Sequence, residues 1–242
     1  MTEEQRLYSI WVYLQAEPLF WLTLTIGAYL VGDYCYRRTN LFPLFNPVAL
    51  GIIIVSAVLL TFNVQYERYF EGAKFIHFLL GPATVSLAIP IYRKWDLITA
   101  NAISILSTVL LGSLFAIIIT YMLAQFFMLD REILLSLLPR SVTAPIAMGI
   151  SELIGGIPSL TAIITIITGI IGAAFGTFTL DLLRVKKMSA RGFAIGLASH
   201  GIGTARAMSR DETAGVFAAA AMGLSGIVTA LIVPLFIYLL KI

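Results

Sequence analysis

Apolar residues run through this chain in long blocks, broken at intervals by short charged or Pro/Gly-rich stretches. Four blocks carry no charge at all: Thr39 to Tyr66, Leu97 to Leu129, Leu153 to Leu180 and Thr213 to Leu240. Each exceeds the roughly 20 residues that a helix needs to cross the hydrocarbon core of a bilayer. Bounded by the punctuation between them, the blocks predict helices over 18–36, 42–62, 73–92, 97–128, 141–155, 158–182, 190–209 and 213–240. Helices are the reading because lipid leaves no backbone group unpaired and no alternating barrel pattern is present.

Composition agrees: 59% of the 242 residues are hydrophobic and 12% are charged, about half the charged fraction of a soluble domain. The formal charge of +3 is then a matter of orientation rather than of nucleic acid, which is excluded as a partner. Basic residues gather at Arg37/Arg38, at Arg93/Lys94 and at Arg184/Lys186/Lys187/Arg191, and these connections are expected on the cytoplasmic side. The balanced connections, Glu67/Arg68/Glu71/Lys74 and Asp130/Arg131/Glu132/Arg140, fall outside. Parity then fails unless one segment does not cross. The shortest, "SVTAPIAMGISELIGG", holds Pro145 and ends in Gly155-Gly156, so it is read as re-entrant. The expected fold is all-α and polytopic, with about seven transmembrane helices plus one re-entrant or broken segment.

Glu3 and Glu4 stand where a secretory signal would be basic, so residues 1–17 are read as a tail or short helix and 18–242 as one membrane domain. Cys35 has no second cysteine to pair with and no metal set around it. No HExxH, CxxC or phosphate-loop lysine motif occurs, so neither enzyme chemistry nor a cofactor is expected. A weak internal repeat is suggested by "GPATVSLA" from Gly81 and "GIGTARAM" from Gly201, with Thr at the same offset, and "SVTAPIAM" echoes both.

Candidate chemistry concentrates where helices are expected to break, because an opened backbone inside lipid is tolerated only against protein or a polar cavity. Gly81-Pro82, Pro145 and Gly201/Gly203 are three such places, each with a threonine beside it: Thr84, Thr143 and Thr204. Free N–H groups at half-helix ends favour carboxylates. Close helix packing with local Thr–backbone bonds is the competing explanation. Arg206 lies several residues inside a membrane segment, and its planar fork suits a carboxylate; an ion pair with Glu152 or snorkelling to the interface would account for it equally. His200 and Glu152 are candidates for proton coupling or gating, against packing and segment-end roles, and His77 is a weaker one. Asn46 and Asn101 are expected to bond across helices.

Five stretches in order carry a family resemblance: "LFNPVALGI", "FLLGPATVSLAIPIY", "LPRSVTAPIAMGIS", "GGIPSLTAIITIITGIIGA" and "ARGFAIGLASHGIGTARA". Together they resemble the LrgB/CidB family over nearly the whole chain from about Phe20. The resemblance implies a bacterial inner-membrane protein beside a small LrgA/CidA-like membrane partner, and is compatible with a homo-oligomer. It also resembles the C-terminal half of plastidal glycolate/glycerate translocators. Two functions are implied: a carrier for small organic anions such as pyruvate or glycolate, and a holin/antiholin-like regulator of murein hydrolase activity and lysis. The carrier reading predicts converging polar groups on broken helices, and the residues above are its substrate candidates.

Overall fold

The computed structural model describes residues 17–39, 45–86 and 88–241, and among them all regular structure is helical. This is an all-α membrane protein. Its helices form two compact units, one ending at Ser86 and one beginning at Leu87.

The first unit holds α1 (Pro18–Arg38), α2 (Pro47–Thr61) and α3 (Tyr66–Ser86). Helix α1 packs against both others. Its Trp21 is fully buried and meets the Tyr69 ring edge-on at 6.1 Å, while Thr25 Oγ1 donates to Tyr69 Oη at 3.2 Å. Asn46 does not reach across helices. It caps α2, with Oδ1 accepting from the Val48 and Ala49 N–H groups at 2.9 and 3.3 Å, because those first-turn donors have no partner inside the helix. Cys35 is a half-buried thiol in the last turn of α1.

The second unit contains α4 (Ala88–Arg93), α5 (Trp95–Ala100), α6 (Ala102–Phe126), α7 (Arg131–Leu137), α8 (Ala144–Ile154), α9 (Pro158–Leu182), α10 (Met188–Arg210) and α11 (Glu212–Leu240). Its centre is α11, where every residue from Ala214 to Met222 is buried. A helix covered on all sides must have small residues where neighbours come closest. A Cβ on Gly192 or Gly196 of α10 would lie 1.9 Å from Ala214 O or 2.2 Å from Ala218 O of α11. The two backbones therefore touch. Helices α6, α7 and α8 close the other end of α11 through Ile117, Leu134, Leu135, Ala147 and Val233.

Helices α6, α9 and α11, of 25, 25 and 29 residues, are long and apolar enough to cross a membrane. Helices α1, α3 and α10 have 21, 21 and 23 residues, with charged residues toward their ends. Helix α8 has only 11 residues; at 1.5 Å per residue it rises about 16 Å, half a hydrocarbon core. It forms a short hairpin with α9 through Gly155, whose φ of 84° makes the turn.

Several boundaries differ from expectation. The span predicted over 73–92 starts earlier, at Tyr66, and its helix ends at Ser86. The span predicted over 97–128 is divided at Asn101, whose Nδ2 donates to Leu97 O within its own segment at 2.8 Å. Helix α7 was not expected at all.

Candidate functional site

Among the described residues, the most unusual backbone inside a helix lies in α10. His200 has φ 39° and ψ −130°, a conformation that suits glycine and costs a side-chain-bearing residue about 1–3 kcal/mol. The break predicted at Gly201/Gly203 thus falls one residue earlier, on the histidine.

What holds His200 there is the neighbouring helix α9. The ring is 4% exposed, and Nε2 is 2.9 Å from the Thr165 carbonyl oxygen. Since a carbonyl only accepts, that bond places a proton on Nε2. The ring rests on Gly169, where a Cβ would lie 2.5 Å from His200 Cε1. One turn along α9, a Cβ on Gly172 would lie 2.0 Å from Ser199 Oγ. Thr161, Thr165, Gly169 and Ala173, all buried, form one stripe at a spacing of four. The stripe of small residues is the seat for the kinked segment.

Beyond the kink the chain packs back on itself. A Cβ on Gly203 would lie 2.5 Å from Ser199 Cβ and 3.0 Å from Ile195 O. Gly201 is half-buried, with Met222 Sδ 4.0 Å from a Cβ built on it. Thr204 is fully buried and its Oγ1 faces Met222 Sδ at 3.8 Å. Arg206 follows, half-buried, with Nε and Nη1 shielded from solvent. His200, Gly201, Gly203, Thr204 and Arg206 therefore belong to one kinked helix, seated between α9 and α11.

The other predicted residues lie elsewhere. Gly81, Pro82 and Thr84 are in α3, which is not broken at Gly81-Pro82 but continues to Ser86. Gly81 and Pro82 are exposed, and a Cβ on Gly81 would meet nothing within 4 Å, so the proline ring is accommodated without ending the helix. The suggested repeat between Gly81 and Gly201 thus does not share its kink. Thr143 is the N-cap residue of α8, without a side-chain cap bond, and Pro145 stands in the first turn. There it begins a helix rather than breaking one. Glu152 is exposed on α8. The side chain of His77 lies outside the described residues.

Sequence reasoning missed Thr165, Gly169 and Gly172, although their small-residue spacing within "TAIITIITGIIGA" was a usable signal. It also missed a fully buried polar node joining α7, α8 and α9. Thr161 Oγ1 bonds Ser151 Oγ at 2.8 Å and Ser136 O at 3.0 Å, and Ser136 Oγ accepts from Ile157 N at 2.7 Å. That node fixes the α8–α9 hairpin beneath the kink seat.

Comparison with known proteins matches this framework as a whole. The LrgB-like family profile covers residues 25–239, which includes α9 and α10 entire and α11 but for its last residue. The chain belongs to the LrgB-like family. Its similarity to an uncharacterized protein, YxaC, from Bacillus subtilis is 37% identity over 91% of this chain and 96% of that protein. The antiholin-like proteins LrgB of Bacillus mycoides and Bacillus cereus are each 34% identical over 90% of this chain and 95% of theirs. No solved structure matches the chain.

Proposed function

We propose that this protein is an antiholin-like component of a bacterial cytoplasmic membrane, acting with a small LrgA-like membrane partner to restrain murein hydrolase activity and lysis. One observation carries the reading: similarity to proteins named antiholin-like LrgB extends over 90% of this chain. The kink seat also lies within residues 25–239, which the LrgB-like family profile covers. No catalytic step is needed for such a role. It requires a membrane-embedded body with a surface for a partner and a part able to change shape, and the strained kink of α10, seated on α9, is the natural candidate for the latter. The test is expression in a cell lacking LrgB-like proteins, with and without an LrgA-like partner, followed by the rate of autolysis. A slower rate that requires both proteins supports the reading; an unchanged rate despite correct insertion refutes it.

A second reading is favoured by the kink itself. A helix opened at His200 inside the protein, with Thr204 and Arg206 in the following turns, is an arrangement suited to a small carboxylate. On this reading the protein carries pyruvate- or glycolate-like acids, with Gly201, Gly203, Thr204 and Arg206 at the anion and His200 and Glu152 in proton coupling. Flux of either acid into proteoliposomes, reduced by Arg206→Lys without loss of folded protein, supports it. Absence of flux with both acids, with and without the partner, removes it.

A further inference from the structure

Arg140 lies in the turn between α7 and α8, away from the kink. It is half-buried, and its Nε and Nη2 donate to Thr120 Oγ1 at 3.3 and 3.1 Å. Thr120 is six residues before the end of α6 at Phe126, so the guanidinium is drawn about 9 Å inward from that helix end. Among the described residues the ion pairs are Arg37–Asp33, Lys74–Glu71, Lys94–Glu212 and Arg191–Asp181; Arg140 is in none of them. Two of its five N–H donors are used by Thr120, and the others remain for a further acceptor.

Beside it opens a cleft of about 310 Å³, walled by Leu123, Phe127, Ile164 and Ile167, with Thr120 and Thr168 as its hydroxyl-bearing side chains. Leu123, Phe127 and Ile167 are 49%, 66% and 49% exposed on the outer side. The cleft thus combines one cation with apolar walls. A short hydroxy- or keto-acid would leave its distal polar group against apolar walls, at a desolvation cost. A molecule with an oxyanion head and a hydrocarbon tail would satisfy both, since guanidinium binds phosphate through two parallel hydrogen bonds.

We propose that this cleft binds an acidic phospholipid, its phosphate on Arg140 and its acyl chain against the α9 wall formed by Ile164 and Ile167. The site is separate from the kink seat: α9 presents Thr165 and Gly169 to His200 and Ile164, Ile167 and Thr168 to the cleft. It stands or falls independently of either functional reading.

The experiment is native mass spectrometry of the purified protein after exchange into mixed phosphatidylglycerol and phosphatidylcholine. The expected result is selective retention of phosphatidylglycerol, falling by about tenfold or more in Arg140→Gln. Ile167→Trp, which fills the cleft from an exposed position and leaves Arg140 in place, gives the same loss, and this variant decides should Arg140→Gln fail to fold. Equal retention in folded variants overturns the proposal. So does an Arg140-dependent rise in unfolding temperature with pyruvate in phosphatidylcholine alone, because the cleft would then take a free carboxylate.

Discussion

At the scale of single residues, His200 joins two demands that ordinarily conflict. Its backbone adopts a conformation suited to glycine, while its ring fills the seat on Gly169 and bonds Thr165 O. Replacing it separates the two effects. His200→Ala loses the ring and keeps the strain, whereas His200→Gly loses the ring and relieves the strain, so the glycine variant should be more stable than the alanine variant by about 1 kcal/mol. Thermal unfolding in detergent reads this difference, and an alanine variant equal to or above glycine would mean that the chain is not kinked at His200. The seat has its own check. Gly169→Ala pushes a methyl into the ring and should cost about 1–3 kcal/mol by overpacking, while Gly149→Ala, where nothing lies within 4 Å, should be neutral or slightly stabilising.

At the scale of elements, the contact of α10 with α11 governs how far α10 can move. Backbone meets backbone at Gly192 and Gly196, so the part of α10 before the kink is bound tightly to the central helix. Gly192→Leu should therefore abolish accumulation of folded protein in the membrane, whereas Gly223→Leu, at an open position of α11, should not; comparable yields of folded protein from both would contradict the packing. Elements of this kind were unevenly legible in the sequence. The helix predicted over 158–182 has those same bounds, and the one predicted over 213–240 starts one residue early, because a long apolar run in lipid has no alternative but a helix. Breaks were less legible. Pro82 looks like an interruption, yet α3 runs on past it to Ser86, whereas His200 looks like a helix interior and is the kink. A residue held in such a backbone is selected by what it packs on, and Gly169 is 31 positions away in the sequence. The threonine-glycine stripe of α9 was visible as a spacing of four, but only the structure shows what sits on it. Arg140 was read as one charge in a balanced loop; its bond to Thr120 depends on how α7 folds back against α6.

At the scale of the whole molecule, the protein is a helical membrane protein of the LrgB-like family, with a strained kink buried at His200 and many exposed apolar side chains on its helices. The orientation derived from the basic connections gives a direct expectation. In a Cys35→Ser background, a cysteine at Lys186, in the exposed turn after α9, should react with membrane-impermeant maleimide only from the cytoplasmic side, and labelling from outside would invert the assignment. The functional proposal is the larger claim. A regulator of lysis should change the activity of enzymes it does not itself contain, whereas a carrier should change the concentration of a solute. The most direct test is murein hydrolase activity, measured by zymography of culture fluid from cells expressing this protein with an LrgA-like membrane protein and from cells expressing the LrgA-like protein alone. The account predicts several-fold lower hydrolase activity with both proteins present, and loss of that difference in an inserted His200→Ala variant. Equal hydrolase activity in the two cultures, with this protein folded in the membrane, would contradict it.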